Sequence, residues 1–213
     1  MVKELELSRK FVIGEVLART ARQNPTDVAV TFGKILYTYG KLNERVNCLA
    51  NGLIGLGIKK NDKVALLLSN STEIIESYFA IAKIGAVCVP LNFRLVENEI
   101  EHLLEHSDSK IIIYHDTFED IINSIKKKSR KIEHYIIVGK SANLGVINYE
   151  KIIEYNPAEE PIIIVDEDDV TNIMYTAGTT GLPKGAMLTH KNQLMGAINF
   201  LLMFGIKSDD KWL

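Results

Sequence analysis

From residue 28 to residue 155, short β-branched runs alternate with longer stretches in which apolar residues recur at helical spacing. The segment AVTFGKILY sets two short β-branched or aromatic runs on either side of Gly33 and Lys34, which predicts a hairpin over 28–37. Directly after it, Leu42, Val46, Leu49, Leu53 and Leu56 repeat at spacings of four and three. That stripe predicts a helix lying on a sheet, with Thr38 as its N-cap and Gly57 as its stop. The run 64–68 is continuously apolar, as a strand buried on both faces must be. The alternation then continues with a helix opening at 70–72 and reaching about 84, a strand at 86–89, a helix at 96–106 and a strand at 110–114. A helix at 116–128, a strand at 133–138 and a short helix at 148–155 complete it. Strands separated by helix-length segments predict an α/β fold with a largely parallel sheet covered by helices on both faces.

Residues 156–169, NPAEEPIIIVDEDD, combine two prolines and six carboxylates with a short apolar patch, and read as a solvated connection. The internal boundary falls there, dividing an N-terminal α/β part, 1–160, from the start of a second part, 161–213. The second part reads as a strand at 170–175, the Gly/Thr loop TAGTTGLPKG, a short strand at 186–188, and a helix from about 190 capped by Thr189. Neither an internal repeat nor a low-complexity segment is visible.

The 213 residues are 46% hydrophobic and 24% charged, enough to bury a substantial core, and this excludes a disordered tail or a disulfide miniprotein. Lys+Arg 25 against Asp+Glu 27 leave a formal charge of −2, so bulk electrostatics offer no reason to expect nucleic acid or anionic membrane as the main partner. Charges at Lys3, Glu4, Glu6, Arg9 and Lys10 break any apolar stretch that a secretory signal would need. The longest apolar passages, 78–82, 84–91 and 200–206, are far shorter than the roughly 20 residues of a membrane span. Cys48 and Cys88 sit inside apolar segments without metal-ligand spacing, and read as reduced core thiols of a cytoplasmic protein.

The strongest local signal for chemistry is the run from Tyr175 to Gly185. Gly178, Gly181 and Gly185 free the backbone to turn N–H groups toward one point, Thr176, Thr179 and Thr180 add hydroxyls, and Lys184 adds a mobile positive charge. Such a loop cradles phosphate. It is not a Walker A loop, because Pro183 precedes the lysine and Gly185 follows it where a magnesium-binding Ser or Thr would stand. Taken by itself, the bland alternative is a Gly-rich turn carrying an exposed lysine.

This loop resembles the phosphate-binding signature of the adenylate-forming, or AMP-binding, superfamily of acyl-CoA synthetases, peptide-synthetase adenylation domains and luciferases. ILYTYGKL (35–42), KVALLLSNSTE (63–73), AIAKIGAVCVPLNFRL (80–95) and LTHKN (188–192) agree with it in order and spacing. VPLNFRL (89–95) is similar to the acyl-CoA synthetase branch. The resemblance runs from about Val16 to the last residue. It implies that the chain is the N-terminal part of the large domain of an acid–thiol ligase of the fatty-acid–CoA ligase type. It also implies a two-step reaction. A carboxylate attacks the α-phosphate of ATP, giving acyl-AMP and pyrophosphate, and the thiol of coenzyme A then displaces AMP. Thr176, Ala177, Gly178, Thr179, Thr180, Gly181 and Lys184 are thereby implied as the ATP phosphate contacts, with the Thr176 hydroxyl near Mg2+. Ala177 departs from the Ser or Thr of many members, and Lys41 replaces the usual glutamate of a capping box.

The resemblance places the adenine- and ribose-binding segments, the acidic magnesium ligand, the acyl pocket and the catalytic lysine of the C-terminal domain downstream of these residues. No catalytic residue is therefore assigned within the chain, and the 213 residues alone are expected to lack acid-dependent ATP–pyrophosphate exchange. Uncovered apolar residues of the last helix are expected to drive self-association, and three glycines to leave the phosphate loop loosely held. Two other readings stay open: a non-catalytic phosphate- or nucleotide-binding module, and an adenylation domain for amino or aryl acids. Among weaker signals, His102 and His106 have a zinc-compatible spacing but read as a solvated acidic helix face. The basic run 126–131 reads as a solvated connector, His190 as a residue of the first turn of its helix, and 166–169 as a solubilising linker.

Overall fold

A computed structural model describes residues 11–128, 131–141, 143–176, 183–207 and 210–211. In chain order the elements are α1 (Ile13–Gln23), β1 (Val28–Phe32), β2 (Ile35–Thr38), α2 (Tyr39–Gly55), β3 (Lys63–Leu67), α3 (Thr72–Lys83) and β4 (Val87–Pro90). Next come α4 (Glu97–Ser107), β5 (Ser109–His115), a 3-10 turn (Asp116–Phe118), α5 (Glu119–Lys128), β6 (His134–Val138) and β7 (Ile147–Asn148). The chain continues through α6 (Tyr149–Tyr155), β8 (Val170–Thr176), β9 (Lys184–Thr189) and α7 (His190–Phe204).

Seven strands form one sheet in the order β7-β6-β5-β3-β4-β8-β9, and every neighbouring pair is parallel except β8 with β9. Strand periodicity explains how both faces are covered. Val64, Leu66, Ile111 and Ile113 turn to the face packed by α1, α2, α3 and α6. Ala65, Leu67, Ile112 and Tyr114 turn to the face packed by α4 and α5. Central strands with both faces buried require unbroken apolar runs, which is the pattern read at 64–68.

The hairpin β1–β2 turns at Gly33, whose φ of 59° suits a residue without a Cβ. Thr38 caps α2, its hydroxyl accepting from the Lys41 amide at 3.2 Å, and Gly57 follows the helix at φ 90°. Two elements lay outside the sequence reading. The buried positions of α1 are Leu17 and the small residues Gly14, Ala18 and Ala21, which give no apolar stripe, and β7 has only two residues.

Residues 156–169 are largely exposed, as the solvated connection read from their charge should be, but they are not loose. They carry no helix or strand, yet they are strapped to α2. Asn47 donates to the Ala158 carbonyl at 2.8 Å, and Asn51 donates to the carbonyls of Pro157 and Glu159 at 2.8 and 2.9 Å. Glu160 pairs with the buried ammonium of Lys83, which also donates to Asn43 and Asn47. Val165 is buried, and Asp169 pairs with Lys60 at 2.6 Å. Backbone carbonyls and carboxylates find fixed donors on neighbouring helices, and this overrides the solubility of the composition.

Beneath the strap, Arg45 of α2 forms a two-pronged pair with Glu76 of α3, at 2.7 and 3.1 Å. It also bonds Glu150 at 2.7 and 3.0 Å, and the Tyr149 hydroxyl donates to Glu76 at 2.9 Å. The two carboxylates hold the guanidinium above its already high range, against the opposing effect of burial. One network thus joins α2, α3 and α6.

Candidate functional site

The Gly/Thr segment read as a phosphate cradle connects β8 to β9. β8 bonds on its other side to β4 through the register Cys88↔Asn172, so the hairpin is rooted in the main sheet. Its pattern VTNIMYT buries Thr171 and Asn172, half-buries Ile173 and Tyr175 against the α4 face, and leaves Met174 and Thr176 exposed. β9 forms one edge of the sheet among the described residues, with Lys184, Gly185, Ala186 and Met187 all exposed. Its end is fixed by a reciprocal cap: Thr189 Oγ1 accepts from the Asn192 amide, and Asn192 Oδ1 accepts from the Thr189 amide, both at 3.1 Å.

The cross-strand register is Met174↔Ala186, Tyr175↔Gly185 and Thr176↔Lys184. Thr176 and Lys184, the first and last residues of the predicted cradle, therefore face each other at the neck of the loop, both exposed. A hydroxyl and an ammonium set side by side can donate to the same anion. Ala177, Gly178, Thr179, Thr180 and Gly181 lie outside the described residues.

Gly185 makes room for a neighbour. A Cβ there would lie 2.8 Å from Ile173 Cγ2 and 3.3 Å from Tyr175 Cε1. The ring of Tyr175 also meets His106 of α4 edge-on, with centroids 5.7 Å apart and the Tyr175 hydroxyl 2.7 Å from His106 Nδ1. Nothing in the local sequence links His106 to a residue 69 positions away, and sequence reasoning missed the pair.

The weaker signals resolve individually. His106 engages Tyr175, and among the described residues no group of three or more His, Cys, Asp and Glu is placed to hold a metal. In the basic run, Lys126 lies over the Tyr135 ring, Lys128 pairs with Glu97 and Lys131 with Asp108. Cys48 and Cys88 are buried free thiols, both pushed up by burial. Among the described residues no helix is long and apolar enough to cross a membrane.

His190 opens α7 as expected but is fully buried, and its Nδ1 accepts from the Ile13 amide at 3.3 Å. Burial lowers its pKa from 6.5 to about 4, although Asp169 opposes the shift and Lys60 reinforces it. The unfolded chain therefore binds the proton first, so stability falls as pH drops from 6.5 toward 4 and is insensitive to this group above 6.5. The loss at this one residue is roughly 3 kcal/mol. Replacing His190 with Asn, which keeps an acceptor near the Nδ1 position, is expected to flatten that acid limb in urea titrations at pH 7, 5.5 and 4.5. An unchanged limb would show that His190 is not the group responsible.

A largely parallel α/β sheet with a Gly/Thr segment between Thr176 and Lys184 is the frame for comparison of the chain with known proteins. The family model described as AMP-binding enzyme matches residues 17–213, and the chain belongs to that family. Feruloyl-CoA synthase of Amycolatopsis sp is 34% identical over 201 residues, covering 94% of this chain and 38% of that enzyme. A medium/long-chain-fatty-acid–CoA and 3-oxocholest-4-en-26-oate–CoA ligase of Mycolicibacterium smegmatis is 34% identical over 173 residues, covering 79% of this chain and 31% of that enzyme. The crystal structure of the anthranilate CoA ligase AuaEII with anthranoyl-AMP superposes with a TM-score of 0.84 at 27% identity, covering 88% of this chain and 36% of that structure. The chain spans between about a third and two fifths of the length of these curated relatives.

Proposed function

We propose that this chain supplies the phosphate-binding part of an ATP-dependent acyl-CoA or aryl-CoA synthetase. The observation that carries the reading is the pairing of Thr176 with Lys184 across the neck of the Gly/Thr loop, in a chain of the AMP-binding family. In the proposed reaction a carboxylate oxygen attacks the α-phosphorus of ATP, and pyrophosphate leaves with the electron pair of the broken P–O bond. The sulfur of coenzyme A then attacks the acyl carbon and AMP leaves. Thr176, the amides from Ala177 to Gly181 and Lys184 would hold the polyphosphate through the first step. Mg2+ fits the donor set: Thr176 offers one neutral oxygen, which suits an ion bound mainly by phosphate oxygens and water. When bound, Mg2+ would neutralise charge on the departing pyrophosphate. We place the enzyme in the cytoplasm, in keeping with its two buried free thiols, and keep residue 161 as the start of the second part of its large domain.

The remaining catalytic groups are assigned to polypeptide beyond these residues. Acid-dependent ATP–pyrophosphate exchange is thus expected from the full-length gene product and not from the isolated 213 residues. Robust exchange from the purified 213-residue chain would overturn that division of labour.

The open edge of β9 and the apolar face of α7 give the isolated chain a strong tendency to associate. Leu202, Met203 and Phe204 are 77, 80 and 61% exposed, and Met187 on β9 is 68% exposed. An unpaired strand beside uncovered apolar surface drives pairing with another copy. Analytical centrifugation of the 213-residue chain at micromolar concentration is expected to show dimers or larger species. A clean monomer would contradict this.

A further inference from the structure

We infer that His106, Tyr175 and Gly185 form a clamp that positions the neck of the phosphate loop, with His106 acting as a positioning residue through Tyr175. Three observations converge. The Tyr175 hydroxyl lies 2.7 Å from His106 Nδ1, and the two rings meet edge-on. Tyr175 stands opposite Gly185, where an added Cβ would crowd the Tyr175 ring at 3.3 and 3.4 Å. Finally, Tyr175 and Gly185 are the immediate chain neighbours of Thr176 and Lys184, the pair at the neck.

The hairpin needs such a tie. β9 is an edge strand exposed along most of its length, so the sheet alone restrains it from one side only. Tyr175 reaches away from the hairpin to α4, an element anchored in the core by Ile100, Leu103 and Leu104. His106 in turn packs against His102 one turn earlier, with ring centroids 5.8 Å apart, which limits the rotamers open to it. The glycine after Lys184 thus does more than loosen the backbone: it leaves space that Ile173, whose Cγ2 would lie 2.8 Å from an added Cβ, and the Tyr175 ring share. A donor displaced by a fraction of an ångström from its phosphate contact loses much of its value, so holding the neck affects binding rather than folding.

The clamp's effect on ATP rests on the function proposed above, whereas its effect on the hairpin does not. The experiment therefore has two arms on the full-length gene product. In the first, hydrogen–deuterium exchange follows peptides covering β8 and β9 in wild type, Tyr175→Phe, His106→Leu and His106→Asn, the last retaining a polar group near the Nδ1 position. Tyr175→Phe and His106→Leu are expected to speed exchange in the hairpin several-fold, with the β3 and β5 peptides unchanged and His106→Asn close to wild type. In the second arm, Tyr175→Phe and His106→Leu should raise KM for ATP about 3- to 10-fold while kcat stays within twofold, as expected for loss of one hydrogen bond, with His106→Asn again close to wild type. The double variant His106→Leu with Tyr175→Phe should be no worse than either single. Additive losses, equal damage from His106→Asn and His106→Leu, or unchanged hairpin exchange in both single variants would overturn the clamp. If wild type turns over no ATP, the proposed function fails and the exchange arm alone decides the clamp.

Discussion

Replacing Glu76 with alanine is expected to destabilise the fold by about 3–5 kcal/mol, because it removes one partner of a buried charge pair. The Glu76 side chain is 0% exposed and that of Arg45 10% exposed, so neither can turn to water when its partner goes. Arg45 would keep one carboxylate, Glu150, whose side chain is 59% exposed, beside the Tyr37 ring, and the Tyr149 hydroxyl would lose its 2.9 Å acceptor, leaving the Glu73 carbonyl at 3.5 Å. Exposure sets the contrast: removing Glu150 instead should cost under about 1 kcal/mol, the value of a solvent-screened pair. Domains of this size are stable by about 5–15 kcal/mol, so the Glu76 variant should also accumulate poorly. Urea denaturation of the full-length gene product measures both. A Glu76→Ala cost no larger than that of Glu150→Ala would mean the pair is far better solvated than its burial implies.

Replacing Lys184 with alanine is expected to slow acid-dependent ATP–pyrophosphate exchange about 10²- to 10³-fold, the usual effect of deleting a preorganised donor from a site of developing charge. The side chain is exposed and the expected stability change is small, so the loss should appear in turnover and not in the unfolding midpoint. Thr176→Val removes a neutral hydroxyl and should cost only about 3- to 10-fold. Lys184→Arg should rescue poorly, because a planar fork replaces a compact ammonium. A Lys184→Ala enzyme within threefold of wild type would remove this residue from the phosphate site.

Legibility in the sequence followed what each residue is used for. Runs such as Val64 to Leu67 and Ile111 to Tyr114 announced central strands, since burial on both faces leaves no polar position. Thr38 and Thr189 announced helix starts because a hydroxyl that accepts from a backbone amide is a local device. The strap was invisible because its partners are distant. Asn43, Asn47 and Asn51 recur every four residues along α2, and they hold residues 157–160. That repeat of asparagines was the one available signal. Thr176 and Lys184 are proposed as phosphate contacts on residue type, and the structure adds that they are cross-strand partners, whereas the tie from His106 to Tyr175 depends on how α4 packs beside β8, which no local pattern encodes.

The most direct test of the central claim is the identity of the nucleotide product. Full-length gene product incubated with ATP, coenzyme A and a panel of fatty and aromatic carboxylic acids should release AMP and pyrophosphate in step with thioester, and only when an accepted acid is present. Release of ADP and phosphate, or ATP binding without turnover of any acid, would contradict the synthetase reading and favour a nucleotide-binding module instead.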